Sequence, residues 1–146
     1  MGFREFDDHE IHQSLAAERV VRLAFTAPGE TYIVPVFFAW HDGAVCGLTT
    51  PGRKTSLAAA NPHVAFQLDS SATSGPWVWS SVSGEGQWEV VRDPAQVGAI
   101  AAHIQLKLSD APEWAGRELQ ARFAELGMVA WRIRPTRISG RAHGPG

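Results

Sequence analysis

The chain changes character at Thr49-Thr50-Pro51-Gly52-Arg53-Lys54-Thr55-Ser56, a polar stretch between two apolar segments. Residues 44–48 before it resemble a β-strand, and residues 57–60 after it favour a helix. The stretch is therefore predicted to turn a strand into a helix. A helix N-terminus presents unpaired N–H groups and partial positive charge, which suit an anion such as phosphate. Arg53 and Lys54 add two cations to the hydroxyls of this turn.

A solvated turn with a Ser/Thr helix cap is the alternative interpretation, and the stretch alone leaves both open. Residues 47–55 also approach the P-loop pattern G-x-x-x-x-G-K-[ST]. Arg53 separates Gly52 from Lys54, however, and breaks the required register. No βαβ pattern surrounds the segment, so the sequence argues against a nucleoside triphosphatase.

Composition narrows the class of protein. The chain has 146 residues, which suits one domain, and a net charge of −2, which argues against a globally basic nucleic-acid binder. Its single cysteine, Cys46, excludes an intramolecular disulfide and fits a reducing compartment. No apolar run approaches the roughly 18 residues of a membrane span, and the first residues lack a signal peptide's apolar core. We therefore expect a cytoplasmic protein that contacts neither membrane nor nucleic acid.

Periodicity predicts mostly strands. The strand-like segments are residues 19–26, 31–40, 44–50, 63–69, 77–91 and 128–141. The helix-like segments are residues 7–18, 54–61, 94–108 and 113–126. Six mostly antiparallel strands with few helices suit a small barrel of the mainly β (α+β) class. The sequence thus predicts one domain over residues 1–141, with a disordered tail at residues 142–146.

Two features refine this prediction. Asp42-Gly43 is a strong hairpin signal between the second and third predicted strands. Pro35 lies in the middle of the second strand and cannot donate to a hydrogen-bond ladder. That strand is therefore expected at a sheet edge or a bulge, where neighbouring backbone groups either meet a ligand or face solvent. His9 and His12 have helical metal-ligand spacing but lack a third ligand nearby, so no metal site is predicted.

Taken in order, four segments resemble the pyridoxamine 5′-phosphate oxidase-like flavoproteins, which share an FMN-binding split β-barrel. The resemblance covers about residues 19–141. The segments are Val34-Pro35-Val36-Phe37-Phe38 with Asp42-Gly43; Thr49 to Lys54 with Leu57 and residues 61–64; Trp79-Ser80-Ser81-Val82 with Gly84 and Gly86; and Trp131-Arg132-Ile133 with residues 138–141. The resemblance implies a six-stranded antiparallel split β-barrel with flanking helices, forming a homodimer with FMN at the subunit interface.

The resemblance also implies roles for individual residues. The positions that match phosphate-binding residues are Thr49, Thr50, Arg53 and Lys54. The positions that match the strand beside the isoalloxazine ring are Val34, Pro35 and Val36. The positions that match the partner subunit's contribution are Trp79, Ser80 and Ser81. Trp131 is a further candidate for flavin packing, with a core or interface position as the alternative.

The chain departs from several branches of this family. Residues 138–144 contain an arginine and a histidine but match the substrate motif of authentic pyridoxamine-phosphate oxidases poorly, so vitamin B6 oxidation is not expected. Leu48 occupies the position where the nitroimidazole-resistance branch often has a histidine. Some relatives bind a deazaflavin, whose phosphate would suit the same cations. Others bind haem, for which His41, His63 and His103 are candidates without motif support.

The leading hypothesis is therefore an FMN-dependent oxidoreductase acting on an unidentified small molecule. A deazaflavin-dependent reductase, a flavin-binding or storage module without turnover, and a cofactor-free dimer are the alternatives. The sequence assigns no catalytic acid, because FMN itself carries the redox chemistry.

Overall fold

The computed structural model describes residues 2–145 of the chain. Its elements, in chain order, are β1 (Gly2–Glu5), α1 (Asp8–Ala17), β2 (Val20–Ala27), β3 (Glu30–Phe37), β4 (Ala39–His41), β5 (Ala44–Thr49), α2 (Arg53–Ala60), β6 (His63–Asp69), α3 (Ser71–Ser74), β7 (Trp79–Val91), α4 (Pro94–Lys107), α5 (Glu113–Leu126) and β8 (Val129–Gly144).

The strands form one antiparallel sheet in the order β3-β2-β6-β7-β8-β5-β4, and β1 pairs with β8. The sheet curls until β3 approaches β5, although these two strands share no ladder. A Cβ atom on Gly47 of β5 would lie only 3.0 Å from the carbonyl oxygen of Phe37 in β3. We call this unpaired approach of β3 to β5 the seam. It is the split of the barrel, and the predicted fold class is confirmed.

The strand count and the C-terminus differ from the prediction. The second predicted strand is divided at Phe38 into β3 and β4. Phe38 and Ala39 are both buried, which breaks the alternation of β3, although the Phe38 N–H still donates to the carbonyl of Arg19 at 3.1 Å. The additional strand β1 brings the total within residues 2–145 to eight. The predicted tail is wrong for residues 142–144, because His143 pairs with both Phe3 and Trp79. Gly146 lies outside the described residues.

Local chemistry explains where several elements begin and end. The Asp7 side chain accepts from Glu10 N–H at 2.8 Å, and the Glu10 carboxylate accepts from Asp7 N–H at 3.0 Å, which forms a capping box for α1. The hairpin at Asp42-Gly43 uses φ angles of 53° and 69°, as its sequence predicts. Among residues 2–145, no helix is long and apolar enough to cross a membrane.

The core lies inside the curl of the sheet. Leu23, Phe25, Val64, Leu68 and Val82 alternate along their strands with exposed or half-buried residues, and all five are buried. A smaller cluster lies where α4 packs on β4 and β5; it comprises Ala39, Cys46, Val91, Ile100, Ile104 and Ala130. In contrast, none of the described residues of α5 is buried. The barrel and α4 are thus firmly packed, whereas α5 rests on the surface.

Lys107 at the end of α4 gives a testable pH dependence of stability. Its ammonium donates to the Leu15 carbonyl at 2.9 Å and lies 4.0 Å from the centre of the Phe38 ring. Burial lowers the pKa of Lys107 to about 8 from 10.5, and burial raises the pKa of Cys46 to about 11 from 9.0. Between pH 8 and 9 the unfolded chain therefore holds the lysine proton more tightly than the folded chain. Stability should rise with pH across that interval.

Above pH 9.0 the Cys46 thiol opposes this trend, because it ionises in the unfolded chain before it ionises in the folded one. Urea unfolding at several pH values should show that the free energy of unfolding of the wild type rises from pH 8 to 9 and that this rise is absent in Lys107→Met. In Cys46→Ala the rise should remain, and the decline in the free energy of unfolding above pH 9.0 should be absent. If Lys107→Met ran parallel to the wild type from pH 8 to 9, the assignment of that titration to Lys107 would be wrong.

Candidate functional site

A cavity of about 180 Å³ lies at the seam. The end of β5, the first turn of α2 and Arg122 of α5 form its polar side, and β3, α4 and the other lining residues of α5 form its apolar side. It is lined by Val36, Phe37, Leu48, Thr49, Thr50, Lys54, Ile104, Leu108, Leu119, Arg122 and Phe123. The predicted strand-to-helix turn therefore contributes directly to a pocket, which a purely solvated turn would not.

The polar side of the cavity is positively charged. Lys54 is half-buried there, and its pKa is lowered first by burial and then by the neighbouring Arg122 guanidinium. Thr49 is only 7 % exposed, and its hydroxyl has one long contact, 3.4 Å to the Thr50 carbonyl. Among residues 2–145, no carboxylate lines the cavity. Two cations without a counter-ion, together with two hydroxyls, suit a bound anion.

The hydroxyls of the turn divide into two roles. The Thr55 hydroxyl accepts from the Gly52 N–H at 2.9 Å and lies 3.0 Å from the Gly52 carbonyl, so it closes the start of α2. The capping interpretation therefore holds for Thr55. Thr49 and Thr50 precede the helix and line the cavity instead.

Arg53 lies away from the cavity. Its Nε and Nη2 donate to the same Glu30 carboxylate oxygen at 3.0 and 2.8 Å, and its guanidinium carbon lies 4.2 Å from the centre of the Tyr32 ring. Adjacent residues of a helix point in different directions, and here Arg53 turns to Glu30 while Lys54 lines the cavity. The predicted pair of phosphate-binding cations is thus separated, and Lys54 is the member that reaches the cavity.

The predicted edge strand is β3. Its only ladder partner within residues 2–145 is β2, where Pro35 pairs with Arg22, so the other edge of β3 is free of strand hydrogen bonds. Val36 lines the cavity, whereas Val34 and Pro35 lie further along the same strand. Unpaired backbone groups therefore border the seam, as the position of the proline predicted.

Trp79, Ser80 and Ser81 are not part of the lining of this cavity. Along β8, Thr49 pairs with Val129 whereas Trp79 pairs with His143, so the two sites lie towards opposite ends of that strand. Trp79 stacks on His143 with ring centres 5.5 Å apart. Ser80 N–H donates to the Ser70 hydroxyl at 2.9 Å, and the Ser81 hydroxyl accepts from the Gln67 amide at 3.0 Å. One protomer therefore does not bring these residues to the seam.

Trp131 belongs to the core, which corrects its suggested role in flavin packing. It is 0 % exposed, and its ring stacks on Trp88 with centres 5.0 Å apart and planes 11° apart. On its other side it touches Gly47, where a Cβ atom would lie 2.7 Å from the indole ring. A side chain enclosed in this way has no surface to offer a cofactor.

Sequence reasoning missed the contribution of α5. Leu119, Arg122 and Phe123 all line the cavity, although the sequence identified this segment only as a helix. Of the candidate haem ligands, His41 and His103 lie together with ring centres 4.1 Å apart, and His63 lies 3.6 Å from Glu85. These histidines are outside the cavity lining.

Comparison with known proteins agrees with the architecture. A family model described as pyridoxamine 5′-phosphate oxidase matches residues 7–142. The structure of an FAD-binding protein from Mesorhizobium loti superimposes with a TM-score of 0.77 at 27% identity, covering 98% of each chain. The heme storage protein of Vibrio cholerae gives a TM-score of 0.73 at 14% identity, covering 94% of this chain and 96% of its own, which indicates the fold alone.

A curated relative, an uncharacterised protein of Rhizobium meliloti (strain 1021), is 29% identical over 87 residues. The match covers 60% of this chain and 58% of that relative's length. Since the same fold occurs in proteins named for a flavin and for haem, the fold by itself does not determine the ligand. The ligand has to be argued from the cavity.

Proposed function

The chain belongs to the pyridoxamine 5′-phosphate oxidase family, and from that premise we propose that it binds FMN and acts as a flavin-dependent oxidoreductase on a small molecule. The observation that carries the proposal is the cationic cavity at the seam. Lys54, Thr49 and Thr50 meet there without any carboxylate in the described lining. Such a donor set suits the dianionic phosphate of a flavin mononucleotide.

The size of the cavity agrees with binding through the phosphate. Its volume of about 180 Å³ is below the roughly 300 Å³ at which ordinary small-molecule pockets begin. It has room for a phosphate group but not for a complete nucleotide. The remainder of the ligand would need adjoining surface, and the unpaired edge of β3, with exposed Pro35 and Phe37, adjoins the seam.

Each residue set has a distinct task in this proposal. When bound, FMN supplies the hydride- and electron-transfer chemistry. Lys54, Thr49 and Thr50 would hold its phosphate, and the unpaired backbone groups of β3 around Pro35 would meet the polar rim of the ring. The apolar residues of α4 and α5 would exclude water from the phosphate end. We assign no proton donor to the chain.

We further propose that the site is completed in a homodimer. In one protomer Trp79, Ser80 and Ser81 line other pockets and not this cavity, which supports a contribution from a second copy. A groove of about 610 Å³ crosses the outer face of the sheet. The exposed Ile33 lines this groove and supplies apolar surface for such a contact. Light scattering should then report twice the chain mass of 15.9 kDa.

A titration of the wild-type protein with FMN, riboflavin, FAD and a phosphorylated deazaflavin tests the proposal. We expect FMN to bind at least about tenfold more tightly than riboflavin, because riboflavin lacks the phosphate that Lys54 would bind. Equal affinities would contradict anchoring by phosphate. Preference for FAD or for the deazaflavin would redirect the choice of cofactor. Failure of all four ligands to bind would refute the proposed function.

Turnover needs a separate experiment, because a storage module would bind FMN equally well. With a nicotinamide donor and a small-molecule acceptor, the bound flavin should be reduced and reoxidised repeatedly, so that each protein molecule turns over many molecules of donor. A protein that binds FMN tightly but shows no steady-state reduction with any donor would be a flavin-binding or storage module instead.

A further inference from the structure

We propose that Arg122 of α5 is the second cation that binds the FMN phosphate, and that α5 thereby closes over the phosphate. This inference rests on the proposed function and deepens it. It places in α5 a role that the sequence placed at Arg53. The argument has three parts: the position of Arg122, the occupation of Arg53 elsewhere, and the weak packing of α5.

The position of Arg122 is the first part. Arg122 and Lys54 line the same cavity from two different helices. Seven other arginines form ion pairs with carboxylates; they are Arg4, Arg19, Arg22, Arg53, Arg117, Arg132 and Arg134. Arg122, like Arg92, Arg137 and Arg141, has no such partner among residues 2–145, but it alone of these four lines the cavity. Its charge instead lies near Lys54 and disfavours the charged lysine, which is why the lysine pKa is lowered beyond the effect of burial.

Two neighbouring cations without a counter-ion repel each other, and a phosphate between them would convert this repulsion into attraction. Arg53 cannot supply that second charge from its observed position, because it is held by Glu30 and lies over Tyr32. Arg122 is therefore the side chain in the described structure that completes a two-cation phosphate site with Lys54.

The weak packing of α5 connects phosphate binding to the position of the helix. Within α5, Ala115 and Phe123 have intermediate burial and Leu119 is 38% exposed, and both Leu119 and Phe123 line the cavity. With so little buried apolar surface, α5 is expected to open locally at a low free-energy cost. A phosphate that bridges Lys54 and Arg122 would hold α5 against the seam.

The test compares Arg122→Ala with Arg117→Ala, a control on the same helix whose arginine pairs with Glu113 outside the cavity. We expect Arg122→Ala to weaken FMN binding about tenfold, the loss of one charge-assisted contact at a partly exposed site. Riboflavin affinity should be unchanged, and Arg122→Lys should recover part of the loss. Arg117→Ala should match the wild type for both ligands.

Hydrogen–deuterium exchange supplies a readout independent of affinity. Saturating FMN should slow exchange in residues 113–126 of the wild type, and riboflavin should slow it less. In Arg122→Ala the slowing by FMN should be lost. If the FMN affinity of Arg122→Ala equals that of Arg117→Ala while the wild type binds FMN, the inference about Arg122 is overturned and the proposed function stands. If the wild type binds no FMN, both fail.

Discussion

Trp131→Ala is expected to lower the free energy of unfolding by about 3–5 kcal/mol, because it removes a fully buried indole from a close-packed core. The ring is stacked on Trp88 and pressed against the backbone of Gly47, so its neighbours have little freedom to fill the space. Urea denaturation of the wild type and the variant measures the difference.

Trp131→Phe is the matched comparison. The indole N–H of Trp131 is buried with no hydrogen-bond partner among the described residues, and phenylalanine removes this unsatisfied donor while it keeps an aromatic ring. Its cost should therefore be clearly smaller than that of alanine. Trp114→Ala, at a residue 63% exposed on α5, should change stability by less than about 0.5 kcal/mol.

The same variants separate the two roles considered for Trp131. Because the ring is enclosed in the core, Trp131→Phe should keep the FMN affinity of the wild type once its stability is taken into account. A large loss of FMN affinity in a well-folded Trp131→Phe protein would show that Trp131 contributes to flavin binding. A loss of stability below about 1.5 kcal/mol in Trp131→Ala would contradict its central place in the core.

The barrel was predictable because its signals are local and repeated. Alternation in residues 63–69 follows directly from burial of one face, and Asp42-Gly43 adopts the φ angles that a tight hairpin requires. The break at Phe38 and the strand Gly2–Glu5 were missed. The break comes where Phe38 and Ala39 are buried in succession, and Gly2–Glu5 pairs with residues 141–144, a partner distant in the chain that no local pattern identifies.

The residues of the candidate site also fall into those that a local sequence pattern identifies and those that only the tertiary structure brings to the cavity. Thr49, Thr50 and Lys54, which line the cavity, were singled out in the sequence because the strand-to-helix turn and the family resemblance both lie within one short segment. The sequence predicts the same phosphate-binding role for Arg53 and Lys54, but α2 directs the two side chains to different surroundings. Arg122 reaches the cavity only because α5 returns to the seam after α4. Tertiary structure, not spacing, therefore decides which second cation is available.

Lys54→Ala is expected to weaken FMN binding about 10- to 100-fold, since a charge-assisted contact in a partly buried site contributes about 1.5–3 kcal/mol. Arg53→Ala is the matched control at the neighbouring position. Because Arg53 is engaged by Glu30 outside the cavity, its removal should change FMN affinity by less than about threefold. Isothermal titration with FMN and riboflavin measures both variants, and riboflavin affinity should change in neither.

The pH dependence of binding supplies a second signature of Lys54. Burial and the neighbouring Arg122 lower the pKa of Lys54 below the ordinary lysine value of 10.5. As the pH is raised, the wild type should therefore begin to lose FMN affinity at a lower pH than it would with an ordinary lysine at this position. In Lys54→Ala this decline should be absent, because the titrating cation is gone. If Arg53→Ala proved as damaging as Lys54→Ala, the phosphate would bind at the Arg53 side of α2, and the cavity at the seam would not be its site. If the decline persisted without Lys54, another group would be responsible for it, because arginine keeps its charge at these pH values.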